Sequence, residues 1–412
     1  MSAPKVYLLG GYQTDFKRNF AGEKLSIHDM MREAVDGAMR ETGIEPVEIQ
    51  AAHVGNAFGE LFVNQAQLGG FFASLHPEFS GLPSSRHEGA CASGSLAGLG
   101  AQADIQAGHY DLVAVVGVEM MRNVSSQQAA DNMGTAAWVG REAQDAQWLW
   151  PYMFAKLGDE YERRYGLKRE YLAGIAKLNF ANAKRNPNAQ TRAWKFTDAS
   201  FADDDAANPR VEGRIRKQDC GQITDGGICV FLASEAYAAD YAKRQNIKLA
   251  DIPYIKGWGH RTATMLFADK LKESHNGPYV LPHVRGTITD AHKRAGLGGV
   301  EQIDAIETHD CFTTTEYMAI DHFGITKPGE SWKAVEDGRI AGDGAIPVNP
   351  SGGLIGAGHP VGATGVRMLL DAYKQTTGTA GDYQVNGCKT LQTLNIGGSG
   401  TTTVSFIVST AA

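Results

Sequence analysis

Hydrophobic positions along the chain follow two different periods. Val6 to Leu9 and Leu112 to Val116 are short unbroken apolar runs, the pattern of strands buried on both faces. Between them Ile27, Met30, Met31, Ala34, Val35, Ala38 and Met39 recur at three- and four-residue spacing, which predicts a helix with one buried stripe. Ser26, with Asp29 three residues on, supplies a capping box for its start. Small and apolar residues at Ser95 to Ala103 and Val366 to Tyr373 predict two further helices. Asn395-Ile396-Gly397-Gly398 ahead of the apolar run Val404 to Val408 predicts a two-stranded hairpin with a tight turn. Strands alternating with helices in this way argue for layered α/β domains.

The pattern also repeats. Residues 34–58 hold a helical stretch, Gly43, Val47-Glu48, Ile49 and Val54-Gly55-Asn56-Ala57-Phe58; residues 288–312 hold a helical stretch, Gly296, Val300-Glu301, Ile303 and Thr308-His309-Asp310-Cys311-Phe312. Cys91-Ala92-Ser93-Gly94 matches Gly362-Ala363-Thr364-Gly365 at a larger offset. Two copies of this length read as a duplicated domain rather than a solenoid. The expected halves are 1–122 with 207–252, and 253–412, interrupted by an insertion at 123–206. That insertion is rich in Gln, Asn, Asp and Arg and holds Trp138, Trp148, Trp150 and Trp194, four of the six tryptophans. It reads equally as a cover over a ligand or as a helical packing layer.

Composition narrows the classes. With 43% hydrophobic and 21% charged residues over 412 positions, the chain is an ordinary globular one. Its net charge, 39 − 46 = −7, comes without a basic block, which excludes nucleic acid as a main partner. The five cysteines form no C-x-x-C pair and no zinc spacing, so a reducing compartment is expected and a metal is not. There is no signal-peptide core, no apolar run approaching the ~18 residues of a membrane span, and the tail ending Thr410-Ala411-Ala412 is not a peroxisomal address. Cytoplasm is the expected location.

Two stretches carry candidate chemistry. In His87-Glu88-Gly89-Ala90-Cys91-Ala92-Ser93-Gly94, a lone thiol sits on a small-residue turn before a helix, where the dipole and free N–H groups are expected to favour the thiolate. Cys91 is the candidate nucleophile, and its own N–H a candidate oxyanion donor. In Gly356 to Gly365, His359 stands between Gly358 and Pro360, an arrangement expected to form an exposed turn and to offer a general base. His309-Asp310-Cys311 follows the apolar Ile303, Ala305 and Ile306, and so is placed at a strand end, where α/β active sites gather. His260 is a weaker candidate for lining a substrate. Cys220, Cys229 and Cys388 read as structural.

As an ordered set these motifs identify a resemblance to the thiolases, in the branch related to the thiolase domain of sterol carrier protein 2. Besides the Cys91 loop it includes Gly117-Val118-Glu119, Asn186-Pro187-Asn188-Ala189, Thr224 to Gly227, His309 to Phe312, Asn349-Pro350-Ser351-Gly352-Gly353, Gly358-His359-Pro360 and Asn395 to Gly398. Most thiolases carry Asn-Glu-Ala-Phe where this chain has His309 to Phe312, and Cys-Ile-Gly-Gly where it has Asn395 to Gly398. The second catalytic cysteine thus moves to Cys311, a swap shared by that branch.

The resemblance implies a duplicated thiolase fold, with two layered α/β halves related by a pseudo-two-fold axis. It implies an acyltransferase of lipid metabolism that cleaves 3-oxoacyl-CoA with coenzyme A, or runs the reverse condensation, with no resident cofactor. Cys91 would attack the 3-oxo carbon, His359 accept its proton, His309 and a water hold the enolate, and Cys311 act as second acid/base. Backbone N–H groups of Cys91 and Gly397 would form the oxyanion site; Asn349, His260 and Gly398 are candidates for substrate binding. Acyl-CoA and CoA are the expected partners, in a homodimer or homotetramer paired through Ser84 to Glu88, without membrane insertion. The alternatives are an acyltransferase of a biosynthetic complex, with a partner protein, or a retro-aldolase, and a non-catalytic acyl- or lipid-binding scaffold.

Overall fold

The computed structural model describes residues 4–410; the first three residues and Ala411-Ala412 of the tail lie outside it. Eleven strands are present among these residues. They are β1 (Val6–Gln13), β2 (Ala51–Gly55), β3 (Ser84–His87), β4 (Leu112–Glu119), β5 (Arg210–Glu212), β6 (Ile215–Arg216), β7 (Gly226–Ser234), β8 (Tyr254–Thr262), β9 (Ala305–Thr308), β10 (Thr390–Gly397) and β11 (Thr402–Ser409). All but β5 and β6 join one sheet in the order β3-β2-β4-β7-β1-β8-β11-β10-β9.

That order contains the duplication. β1 meets β8 through a single antiparallel pair, Tyr7 with Tyr254. Outward from this seam, β7 and β11 are each antiparallel to the strands on both their sides. Then come β4 and β10, parallel to β2 and β9. The outermost positions are β3, parallel to β2, and Val348, which bridges Ile306 in parallel. Each half therefore runs through the same strand sequence with the same directions.

The helices repeat as well. Ile27–Thr42 starts from the Ser26 capping box, buries the predicted stripe from Ile27 to Ala38, and ends at Gly43 in the left-handed region (φ 67°). Pro282–Ala295 ends likewise at Gly296 (φ 69°). Ser93–Gln106 and Thr364–Thr377 each follow a one-turn 3₁₀ segment, Ala90–Ala92 and Val361–Ala363. These two helices pack on each other and on strands from both halves, around a shared core that includes Ala97, Ala101, Val366, Leu369, Val113 and Phe406. Their starts touch because both carry glycine: a Cβ on Gly365 would lie 2.2 Å from Ser95 N, and one on Gly94 2.9 Å from Val366 N.

The 123–206 segment is largely helical, with Ser126–Gly134, Leu149–Tyr165 and Arg169–Ala183. It is clamped to the C-terminal half by Asn182 Nδ2 donating to the Asn349 carbonyl and Asn186 Nδ2 to that of Ser351, both at 3.0 Å. Trp138 and Trp194 stay about two-fifths exposed (43% and 40%), whereas Trp148 and Trp150 turn inward to line a cavity. No described helix is long and apolar enough to cross a membrane.

One carboxylate ties the halves together. Glu119, at the end of β4 and fully buried, accepts from Asn56 Nδ2 (2.9 Å) and from the N–H groups of Ala57 (2.9 Å) and Phe58 (3.1 Å). It also accepts from Gly362 N–H across the interface (2.8 Å). Burial pushes its pKa up to about 7, against the pull of these donors. Glu119→Ala leaves those donors without an acceptor, at about 1–3 kcal/mol for each that stays dry. The expected loss is about 3 kcal/mol in urea unfolding; a change under about 1 kcal/mol means the tie does not hold the halves.

Candidate active site

Cys91 sits on the 3₁₀ turn between β3 and the helix Ser93–Gln106. The residue before it, Ala90, is held at φ 52°, a left-handed conformation that costs of order 1–3 kcal/mol in a non-glycine residue. The turn is pinned by the Ser93 hydroxyl, which accepts from Gly89 N–H (3.0 Å) and donates to the Ala90 carbonyl (2.6 Å). The sequence leads one to expect a stabilised thiolate here, and the structure reverses that. Cys91 as a residue is half-buried, but its sulfur lies deep enough that burial pushes the thiol up to about 12, outweighing the N–H of Gly398 and its own N–H, which pull it down. Two donors do not replace the water a thiolate gives up.

His359 is buried rather than on the exposed turn the glycines suggested. Gly358 adopts φ 125°, and a side chain there would strike Thr224 Oγ1 at 2.8 Å; the chain is turned inward and His359 N–H donates to that same hydroxyl (2.8 Å). His359 Nδ1 lies 2.7 Å from the Thr364 hydroxyl, which donates onward to the Pro360 carbonyl at 3.2 Å. A hydroxyl has one proton to give, so Thr364 accepts from Nδ1–H and the imidazole proton is fixed there. His359 Nε2 is left as a bare lone pair, buried and without a hydrogen-bond partner. Burial, then the Arg367 charge, pulls the imidazole down to about 3, so it is neutral.

His309 is held in the opposite tautomer. Ser95 Oγ donates to Asn395 Oδ1 (2.9 Å), turning the amide nitrogen toward His309 Nδ1 (3.3 Å). Nδ1 accepts, so the proton sits on Nε2 and the ring is a donor. Burial, with His359 and Arg367 nearby, keeps it well below the usual histidine range. The two rings meet edge to face, 5.2 Å apart at 85°. The Cys91 sulfur and one nitrogen from each ring lie within 4.8 Å of one another. These atoms also form the single cation-sized donor cluster among the described residues. His309 is grouped in it with Cys91 and His359, not with Cys311.

Cys311, just past β9, lines the same cavity as Cys91 and His359, with Sγ 3.5 Å from Thr315 Oγ1. Burial, then its nearness to Cys91, drives its thiol well above the ordinary value. Beneath the site lies a buried charge knot: Arg367 Nη1 contacts Glu307 (3.0 Å), Asp371 (2.6 Å) and the Ser351 hydroxyl (2.7 Å).

The remaining candidates divide. Gly398 borders the site, and its N–H, one residue beyond the expected Gly397, is the one that reaches the Cys91 sulfur. Gly397 lets the Gly89 carbonyl approach to 2.1 Å from where a Cβ would sit. Asn349 is a scaffold residue: Nδ2 donates to Glu316 (2.8 Å) and Oδ1 accepts from Thr308 N–H (2.8 Å). His260 is exposed on β8 opposite Val404, outside the cavity lining. Cys220, read as structural, does line the cavity, whereas Cys388 packs in the shared core. The roles of Glu119, Ser95, Asn395 and Thr364 were not assigned from sequence; their only signal there is membership of the motifs around Cys91, His359 and Gly397.

Residues 6–198 match the family model "Thiolase, N-terminal domain" and residues 273–410 match "Thiolase C-terminal domain-like". An acetyl-CoA acetyltransferase of Methanothermobacter thermautotrophicus is 32% identical over 407 residues, covering 98% of this chain and 99% of that protein. Sterol carrier protein 2 of Homo sapiens is 28% identical, with 98% of this chain matching 71% of its length. The solved structure titled "Ltp2-ChsH2(DUF35) aldolase" superposes with a TM-score of 0.75 at 20% identity, covering 98% of this chain and 97% of that one. On the full-length match and both family models, the chain belongs to the thiolase superfamily, in the branch of sterol carrier protein 2.

Proposed function

We propose that this acyltransferase moves an acyl group between 3-oxoacyl-CoA and CoA through an acyl thioester on Cys91. The observation that carries the reading is the pair of opposed tautomers beside the thiol, a bare nitrogen on His359 and an N–H on His309. Cys91 Sγ attacks C3 of the substrate while its proton passes to His359 Nε2. The N–H groups of Gly398 and Cys91, which face the sulfur, support an oxyanion site for the C3 oxygen there. When the C2–C3 bond breaks, its electron pair moves into an acetyl-CoA enolate whose oxygen His309 Nε2–H stabilises. The Cys311 thiol protonates C2 and acetyl-CoA leaves. Cys311 thiolate then takes the proton of an incoming CoA, whose sulfur attacks the acyl-enzyme; Cys91 departs and recovers its proton from His359.

The reading needs no resident cofactor, and CoA is a co-substrate. A retro-aldolase has no use for a nucleophile, so Cys91 at the head of a cavity supports thiolysis over that alternative. A homodimer or homotetramer belongs to the same reading, supported by β3, which lies at an edge of the sheet with a free side. A cytoplasmic location is supported by five unpaired cysteines. Residues 1–122 with 207–252, and 253–412, are proposed as the two halves and 123–206 as the insertion.

Incubation with an acyl-CoA donor followed by peptide mapping is expected to find the acyl group on Cys91; label on Cys311 or Cys220 overturns the assignment. Cys311→Ala should still acylate but exchange the C2 protons of acetyl-CoA with solvent about 10²-fold more slowly or worse. His359→Ala should show the reverse bias, impaired acylation with less effect on exchange.

A second expectation follows from the neutral pair. A thiol raised toward 12 carries more thiolate at each step up in pH, about tenfold per unit below its pKa. Alkylation of Cys91 in the free enzyme should climb from pH 7 to pH 10 without levelling. A plateau reached below pH 8 marks a preformed thiolate and refutes it.

Sedimentation should give a mass of at least twice 44.2 kDa at micromolar concentration; a monomer mass counts against pairing through β3.

A further inference from the structure

Two cavities of opposite character meet beside Cys91. The outer one, about 600 Å³, is bordered by Glu60, Arg86, Glu88, Thr135 and Thr401. The inner one, about 190 Å³, has Cys91, Cys311 and His359 in its wall and no Asp, Glu, Lys or Arg. The two share Phe58, Ala90, Ala136 and Gly398. A thioester at Cys91 thus stands on a boundary, with a mixed side that offers charged and hydroxyl groups to its carrier and an apolar side for its chain.

The inner wall is fixed. Trp150 Nε1 donates to the Met133 carbonyl at 2.9 Å. Phe154 stacks on Phe312 with ring centres 5.0 Å apart. The backbone N–H of Trp148 donates to Glu212 Oε2 at 3.4 Å. These aromatic rings, with Met121 and Phe58, line the space. An apolar cavity of roughly 150 Å³ stays dry and takes one benzene. A cavity of about 190 Å³ has room for one or two carbons more.

We infer that the inner cavity is the acyl site and that it selects an uncharged acyl group of about six to eight carbons, with Trp148 and Trp150 setting the limit. This rests on the acyl-cysteine reading above. A shorter group leaves apolar wall unfilled, and each missing methylene weakens binding roughly fourfold. A longer one must displace Trp150, whose indole is anchored by its own hydrogen bond, or Trp148. A chain ending in a carboxylate has no cation to meet and loses its hydration on entry.

The test is kcat/KM for CoA-dependent cleavage of 3-oxoacyl-CoAs of increasing length. The departing acetyl unit takes two carbons with it, so the maximum is expected at 3-oxooctanoyl- to 3-oxodecanoyl-CoA. A maximum at six carbons or fewer, or at twelve or more, overturns the inference while leaving thiolysis intact. 3-Oxoadipyl-CoA should be cleaved at least about 10²-fold less well than 3-oxohexanoyl-CoA of equal length; equal rates also overturn it. Trp150→Ala or Trp148→Ala should move the maximum to longer chains, and the inference fails if neither does. Unreactive S-alkyl-CoA thioethers supply a readout independent of turnover. Their affinity for the wild-type protein should rise roughly fourfold per methylene and stop rising near eight carbons. If no 3-oxoacyl-CoA is cleaved but this binding profile holds, the proposed reaction fails and the acyl site stands; a flat profile removes the site.

Discussion

Glu119 accepts hydrogen bonds from the loop after β2 in one half and from the turn after His359 in the other. The placement of everything above it depends on that shared acceptor. The loop it holds on one side includes Phe58, which borders both cavities. The turn it holds on the other leads into Thr364, the residue that fixes the His359 proton. Backbone N–H groups in a dry interior must find acceptors, and a single carboxylate satisfying two loops makes their separation a defined length. The glycines at the helix starts then allow the halves to close to that length.

Dehydration has a second consequence, for charge. Close by, Arg367 keeps a full positive charge by surrounding itself with Glu307, Asp371 and Ser351. The thiols and imidazoles of the site have no such partners and stay neutral. Neither a thiolate at Cys91 nor an imidazolium at His359 is therefore favoured in this interior. What the fold arranges in advance is direction: which nitrogen bears a proton and which a lone pair. Hydrogen bonds set that without any net charge being buried.

Much of this was legible in the chain. The apolar runs at Val6, Leu112 and Val404, the capped helix from Ser26 and the internal repeat all follow from local physics, because their periods are imposed by burial on one or two faces. Cys91, His359, His309 and Cys311 stood out because small residues and strand ends frame them. The states of those residues were not legible. A thiol before a helix reads as activated, yet its real value depends on how much water the other half excludes, and that is a long-range property. His359 looked exposed because flanking glycines mark turns, but not which way a turn faces. Asn349 and Glu119 carry no local sign of the donors they meet, since those lie more than thirty residues away or in the opposite half. His260, in contrast, looked promising only through its neighbours, and it faces out from β8.

The duplicated architecture also fixes a stoichiometry. Gly362 occupies in the second half the position that Cys91 holds in the first, and Gly55 the position matching His309. Neither can acquire a working side chain: a Cβ on Gly362 would lie 2.6 Å from Asn56 Cα, and one on Gly55 2.5 Å from Gly94 Cα. Each copy carries a glycine where its twin carries Cys91 or His309, and close backbone leaves no room for a side chain there. The halves are complementary parts of one centre, and the grouping of Cys91 with His309 and His359 occurs once among the described residues.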